Sequence, residues 1–334
     1  MNGKLDAKQT NKKMQERKRF QIEKIDLITK EGEKISIDSA KLVKVFRIME
    51  YNSIRTILNL SWKRMNKLKL TKILFVGIIR KLRNVEPRVS GYMCLPLLSP
   101  IVAPLIKLKK VVRIEVFLND KTFYFSLKSP YLIWDTIMGI KQIIYTNQYN
   151  VSEKNMKNRI IIDAGSNNGD FSLLAVYMGA KKVYAFEPVS STTNMFLENI
   201  RLNNMQDKIS VFKKALGNKN CFKEIYFARS GDGGAKIGKV AGQKCEKIEI
   251  IRLDDFVADN KIKKIDFIKM DVEGFEDRLL MGASNVLKKF KPVLSLSAYH
   301  RADDKERLPK IIRSIREDYT IVLNRFCEED FYCW

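Results

Sequence analysis

The feature that most constrains this chain is residues 160–169, IIIDAGSNNG, where a short β-branched run passes directly into a turn bounded by Gly165 and Gly169. Glycines there let a strand reverse sharply into a helix and let a ligand approach the backbone, while the helix N-terminus offers unpaired N–H groups to an anionic group. The residues beyond the turn keep the same rhythm. Strands are predicted at 160–162, 182–186, 209–212, 265–270, 293–297 and 320–325, alternating with helices at 171–178, 193–203, 275–290 and 305–319. Apolar runs interleaved with helices in this way predict an α/β fold with a mostly parallel sheet and helices on both faces. A more polar insertion, 217–243, carries a predicted strand at 224–228 and a glycine-rich segment, SGDGGAK (230–236), and a strand at 249–251 precedes LDDF (253–256).

A glycine turn alone fits many nucleotide binders. Two acids narrow it. Glu187 ends the next strand, about 20 residues on, where an acid can hydrogen-bond ribose hydroxyls. Asp163 stands directly before the glycines. A carboxylate there would repel a pyrophosphate but suit an ammonium group such as that of S-adenosylmethionine, and the middle glycine of a dinucleotide turn is replaced by Asn167.

DAGSNNGDFSLLA (163–175), VYAFEP (183–188), LDDF (253–256), DFIKMDVEGFE (266–276) and KPVLSLSAYH (291–300) together resemble the FkbM family of S-adenosylmethionine-dependent methyltransferases, in order and in spacing. The resemblance spans about residues 131–319. It implies a Rossmann-like class I methyltransferase sheet and S-adenosyl-L-methionine as cofactor. It also implies methyl transfer to a hydroxyl oxygen, of a sugar in a glycan or glycolipid or of a glycosylated natural product. By position, Asp163, Gly165, Asn167 and Gly169 would cradle the methionine part, Glu187 the ribose, and Ala215, after the third strand, would lie by the adenine.

Methyl transfer to an alcohol depends on holding acceptor and methyl in line, and a base or cation beside the hydroxyl helps. Asp271 ends the fourth strand of the domain, at the edge where open α/β sheets place ligands. Glu273 lies two residues on, at the start of a helix, where either catalysis or an N-terminal contact would suit it. His300 is the single histidine and follows strand 293–297 on the same edge; at its ordinary pKa it could accept a proton at neutral pH. Asp254 and Asp255 are read as turn and helix-cap residues rather than as partners of Asp271 on a cation, so no metal is expected.

Before residue 111 no motif guides the reading. Net charge is +24, and residues 1–150 hold 30 Lys and Arg against 12 Asp and Glu. This basic excess suits an anionic surface such as membrane headgroups. Nucleic acid fits less well, since DVEG (271–274) lacks the proline-aromatic run used on base nitrogens and the basic residues are not interleaved with stacking aromatics. Residues 1–22 read as a disordered basic tail and 23–110 as a basic, mostly helical accessory region with apolar stripes between 42 and 78. Residues 111–334 read as the motif-bearing domain, core 159–325, opening with a β-hairpin (111–117 and 122–127) and a helix at 131–145. The charge-free run 89–106 holds three prolines and is read as a loop rather than a membrane span. Five cysteines without a CxxC pair, and no signal-like start, suggest the cytoplasm, with peripheral contact at the inner membrane face.

Overall fold

The computed structural model describes residues 20–43, 111–119, 121–127, 132–227, 236–237, 244–325 and 328–334. Two compact units divide the chain, one of residues 22–138 and one that holds residues 139–334.

In the smaller unit, β1 (Ile22–Thr29), β2 (Lys34–Asp38), β3 (Val111–Leu118) and β4 (Lys121–Ser126) form an antiparallel sheet in the order β2-β1-β3-β4. Alternation builds its buried face: Ile25, Leu27, Ile114, Val116, Phe123 and Phe125 are all inward. Asp26, on the opposite face of β1, is also buried, with the ammonium groups of Lys24 and Lys34 at 3.0 and 2.6 Å from its carboxylate. The predicted hairpin is β3–β4, turned through Asn119 at φ 53°. Strands β1 and β2 differ from the helical reading of residues 23–110. The cause is tertiary, since β1 is completed by β3, whose sequence lies far downstream. The apolar stripes beyond residue 43, the run 89–106 and the tail before residue 20 lie outside the described residues. Helix α1 (Leu132–Gly139) continues into a π-helical turn (Ile140–Tyr145), so the helix predicted at 131–145 changes winding midway.

After the π-helical turn, which belongs to the larger unit, that unit runs through α2 (Glu153–Met156), β5 (Ile160–Ala164), α3 (Asp170–Tyr177), β6 (Lys182–Phe186), α4 (Ser190–Leu202) and β7 (Ile209–Phe212). A second small sheet comes next: β8 (Ala215–Leu216), β9 (Cys221–Phe227), β10 (Lys236–Ile237) and β11 (Lys244–Ile251), in the order β10-β9-β11-β8. The strands predicted at 224–228, in the insertion, and at 249–251, after it, are both longer than the sequence suggested, because they pair with each other along seven positions over Ile225, Phe227, Ile248 and Ile250. Residues 228–235 of the glycine-rich segment lie outside the described residues.

The chain then returns through α5 (Leu253–Asp259), β12 (Phe267–Met270), α6 (Glu276–Gly282), α7 (Ser284–Phe290), β13 (Val293–Ser297), α8 (Asp304–Ile315), β14 (Ile321–Arg325) and β15 (Glu329–Cys333). The helix expected at 275–290 is two helices. Asp254 accepts the N–H groups of Asn285 and Val286 at 3.1 and 2.9 Å, taking the donors that a continuous helix would bond internally.

The main sheet has the order β14-β15-β13-β12-β5-β6-β7, parallel except for β15. From β5 the chain steps outward to β6 and β7, then returns to β12 on the other side of β5. This is a doubly wound sheet with its switch point between β5 and β12, the topology that places helices on both faces. Central strands are apolar on both sides, as in Ile161, Ile162, Phe267, Ile268 and Met270, which is what burial between two helical layers demands. The unpredicted β15 slots between β13 and β14, and its Cys333 is a buried free thiol.

Candidate active site

The carboxyl ends of β5, β6, β12 and β13 bring together what the sequence singled out. Between β5 and α3 the turn closes through Gly165 (φ 73°), Asn167 (φ 46°) and Gly169 (φ 88°). Gly165 is obligatory for a second reason: a Cβ there would overlap the Asp271 carbonyl oxygen, so β5 and β12 could not converge at the switch point. At Gly169 a Cβ would run into the Phe196 ring of α4.

Asp163 is completely buried, and its carboxylate is used internally. Ser172 donates its hydroxyl to Oδ2 at 2.6 Å, and the Lys269 ammonium lies 3.2 Å from Oδ1. These contacts hold the carboxylate that the sequence assigns to a ligand's ammonium group, and one of them comes from Lys269, which the sequence reading passed over. It stands in the middle of β12, 3% exposed, and donates to the Gly165 carbonyl at 2.6 Å. Burial alone would lower its pKa, but the charges of Asp163, Asp271 and Asp170 raise it. The turn is thereby clamped from below by a buried cation. Polar atoms free for a ligand are Ser166 Oγ and Asn167 Oδ1, buried in the turn without a hydrogen-bond partner among the described residues.

Glu187, just past β6, is positioned by two backbone donors: Val189 N–H to Oε1 at 3.0 Å and Asn167 N–H to Oε2 at 3.1 Å. Each oxygen keeps a lone pair for a vicinal diol. Burial pushes its pKa up to about 7, against the N–H bonds and the Lys269 charge that favour the anion. Asp170, at the start of α3, is likewise pushed up to about 7 by burial. Ala215 is half-buried on β8, paired with Ile250.

Across the switch point sits Asp271. Tyr149 donates its hydroxyl to Oδ2 at 2.7 Å, and His300 Nε2 lies 3.5 Å from Oδ1. Burial would raise the Asp271 carboxyl, but the Lys269 charge, the His300 ring and the Tyr149 hydroxyl outweigh it and hold the pKa below the usual range. Glu273 lies at φ 53° in the turn before α6, not in the helix, with Oε1 3.7 Å from His300 Nε2. The helix position belongs to Glu276, a residue the sequence reading missed. Fully buried, it accepts the Val272 N–H at 3.0 Å and pairs with His300 Nδ1 at 2.8 Å. Burial opposes a charged His300 ring, yet the Glu276 hydrogen bond and the charges of Asp271, Glu276 and Glu273 push its pKa up to about 9. That direction favours the protonated ring at neutral pH over the neutral base expected from its ordinary value. Asp254 and Asp255 are engaged by Arg252, at 2.9 and 3.3 Å.

A doubly wound sheet with an antiparallel β15, a glycine turn after its first strand and an acid after its second defines a Rossmann-like methyltransferase domain. Residues 163–327 match the family model of the methyltransferase FkbM domain, so this part of the chain is an FkbM methyltransferase domain. Protein arginine N-methyltransferase 6 of Danio rerio is 32% identical over 102 residues, 29% of this chain and 28% of that protein. The chain thus spans little more than a quarter of this relative's length. Among solved structures, methyltransferase FkbM from Methylobacillus flagellatus KT is similar at 18% identity and a TM-score of 0.42, over 78% of this chain and 70% of that one. A SAM-dependent methyltransferase from Agrobacterium tumefaciens is similar at 10% identity and a TM-score of 0.36, over 66% and 69%. The cofactor of this domain is S-adenosylmethionine. The residues present fit it, with two unpartnered oxygens in the turn to meet the methionine part and a pinned carboxylate at Glu187 to meet the ribose. Bound there, it would supply an electrophilic methyl group. Among the described residues, no helix is long and apolar enough to cross a membrane.

Proposed function

We propose that this protein is an S-adenosylmethionine-dependent O-methyltransferase whose acceptor is a sugar hydroxyl in a glycan, glycolipid or glycosylated small molecule. The observation that carries the reading is Asp271. It is a carboxylate held anionic, its side chain a quarter exposed, at the switch point across from the cofactor turn, with Tyr149 fixing one oxygen. Such a group accepts a hydrogen bond from an alcohol O–H and orients its oxygen toward a methyl donor, and most of the acceleration of a methyl transfer comes from that alignment. Glu273 and His300 beside it supply further polar contacts for a polyhydroxylated acceptor. The basic residues before 150 favour an acceptor presented at an anionic surface, such as the inner face of a membrane.

The test is transfer of labelled methyl from S-adenosylmethionine to separated acceptor classes: glycolipids and oligosaccharides, RNA, and arginine-containing peptides. Alkali-stable label on carbohydrate is expected, lost in Asp271→Asn while cofactor binding by calorimetry stays intact. Label on RNA or on arginine, with none on carbohydrate, overturns the acceptor assignment.

A further inference from the structure

We propose that His300, Asp271 and Glu273 form a divalent-cation site, with Glu276 orienting the imidazole, against the expectation that no metal is used. The proposal deepens the O-methyltransferase reading and rests on it only for the cation's purpose, not for its binding.

Three observations converge on His300 Nε2; Glu276 lies within the same 4.8 Å cluster as Asp271 and His300 but is taken up by the opposite ring nitrogen and is not a ligand. The His300 side chain is 5% exposed, and its Nε2 is buried without a hydrogen-bond partner among the described residues. A buried ring nitrogen left unmatched is costly unless something occupies the space before it. What faces that nitrogen is carboxylate oxygen: Asp271 Oδ1 at 3.5 Å and Glu273 Oε1 at 3.7 Å. Those separations are too long for good hydrogen bonds but near the edge of a coordination polyhedron, since ligands ~2.1 Å from one ion stand roughly 3.0–3.4 Å apart. Finally, His300 Nδ1 pairs with Glu276 Oε1 at 2.8 Å, and the Val272 N–H holds that same oxygen at 3.0 Å. A carboxylate fixed on the far nitrogen of an imidazole sets the ring's orientation, the arrangement that supports metal-bound histidines, and a cation binding at Nε2 would displace the proton that nitrogen otherwise carries.

The backbone supports the same reading. Glu273 and Gly274 both take positive φ, 53° and 90°, in the turn that places the Glu273 side chain beside His300. Glutamate in that region is uncommon, and backbone strain held by its surroundings is concentrated at ligand sites. One imidazole with two carboxylates, and remaining positions left to water or substrate, suits Mn²⁺, Fe²⁺ or Zn²⁺ better than Ca²⁺. On the O-methyltransferase reading, an open position would take the acceptor oxygen, and the ion would make its hydroxyl more acidic.

The full chain, stripped with chelator and dialysed, is titrated with Mn²⁺ alone and followed by electron paramagnetic resonance and thermal unfolding. We expect one ion per chain, a concentration-dependent rise in Tm, and a nitrogen coupling in the pulsed spectrum that His300→Gln removes. Glu276→Gln should weaken binding by about 10–100-fold, the usual effect of losing an outer-shell partner. Asp255→Asn, on a surface acid outside the cluster, should leave binding unchanged. Circular dichroism checks that each variant is folded, and the isosteric Asp271→Asn serves if His300→Gln is not. No Mn²⁺ binding at millimolar concentration, or binding that persists without nitrogen coupling, overturns the site. S-adenosylmethionine titration run in parallel separates the two readings, because cofactor binding with no metal binding sinks only this proposal.

Discussion

Replacing Lys269 by methionine removes the buried cation beneath the glycine turn while keeping the length and apolar stem of the side chain. Two contacts go with it: the ion pair to Asp163 at 3.2 Å and the hydrogen bond to the Gly165 carbonyl at 2.6 Å. Asp163 has no exposed surface and would keep only the Ser172 hydroxyl as a donor. Deleting one member of a buried pair costs about 3–5 kcal/mol, because the other charge is stranded, whereas deleting both is far less harmful. Lys269→Met should therefore lose about 3–5 kcal/mol of stability in urea titration at pH 7.5, and Lys269→Met with Asp163→Asn should recover at least about 1 kcal/mol of it despite carrying two changes. A deficit below about 1 kcal/mol would refute the clamp.

Gly165→Ala combines a Cβ at φ 73° with overlap onto the Asp271 carbonyl, so it should cost at least about 2 kcal/mol and weaken S-adenosylmethionine binding; unfolding and calorimetry check both. Glu187 has a folded-state pKa of about 7, raised from 4.5 by burial, so its contribution to stability is fully present below about pH 4.5 and is lost as pH rises through 7. Glu187→Gln should consequently stabilise the cofactor-free protein at pH 8, by up to about 3 kcal/mol, while weakening cofactor binding; a destabilised variant at pH 8 contradicts the assignment. Tyr149→Phe removes the hydroxyl that pins Asp271 Oδ2 and should lower methyl transfer more than cofactor affinity, read as a fall in kcat at nearly constant dissociation constant.

Much of the larger unit was legible in the sequence because parallel strands buried on both faces are written as short apolar runs. IIIDA, KVYAF and VLSLS appear where expected, and each ends in a residue of the site or close to one. Elements whose cause is not local were less readable. Strand β1 alternates Ile25, Leu27 and Thr29 inward, but its partner β3 lies far along the chain, and the intervening basic stripes suggested helix. Strand β15 opens with two acids. Only the long return that places it between β13 and β14 makes EDFYC an interior strand, with Asp330, Phe331 and Cys333 all buried. The break between α6 and α7 is set by Asp254, whose carboxylate arrives from a separate helix.

At the site, the positions of the acids at strand ends were legible and the contacts they make were not. Asp163 and Glu187 were placed correctly on strand ends, yet the internal contacts of Asp163 to Ser172 and Lys269 were not foreseen. DFIKMD held the clue: a lysine inside a strand apolar on both faces must find a carboxylate, and Asp163 on the adjacent strand is in register with it. The same logic applies on the other side of the switch point. A single histidine at a strand end suggested a base at its ordinary pKa, but three carboxylates converge on it, and one of them, Glu276, is wholly buried. Such a ring does not rest as a neutral base. Either a proton or a cation must balance the acids around it, so whatever occupies Nε2 decides what Asp271 can do to an acceptor hydroxyl.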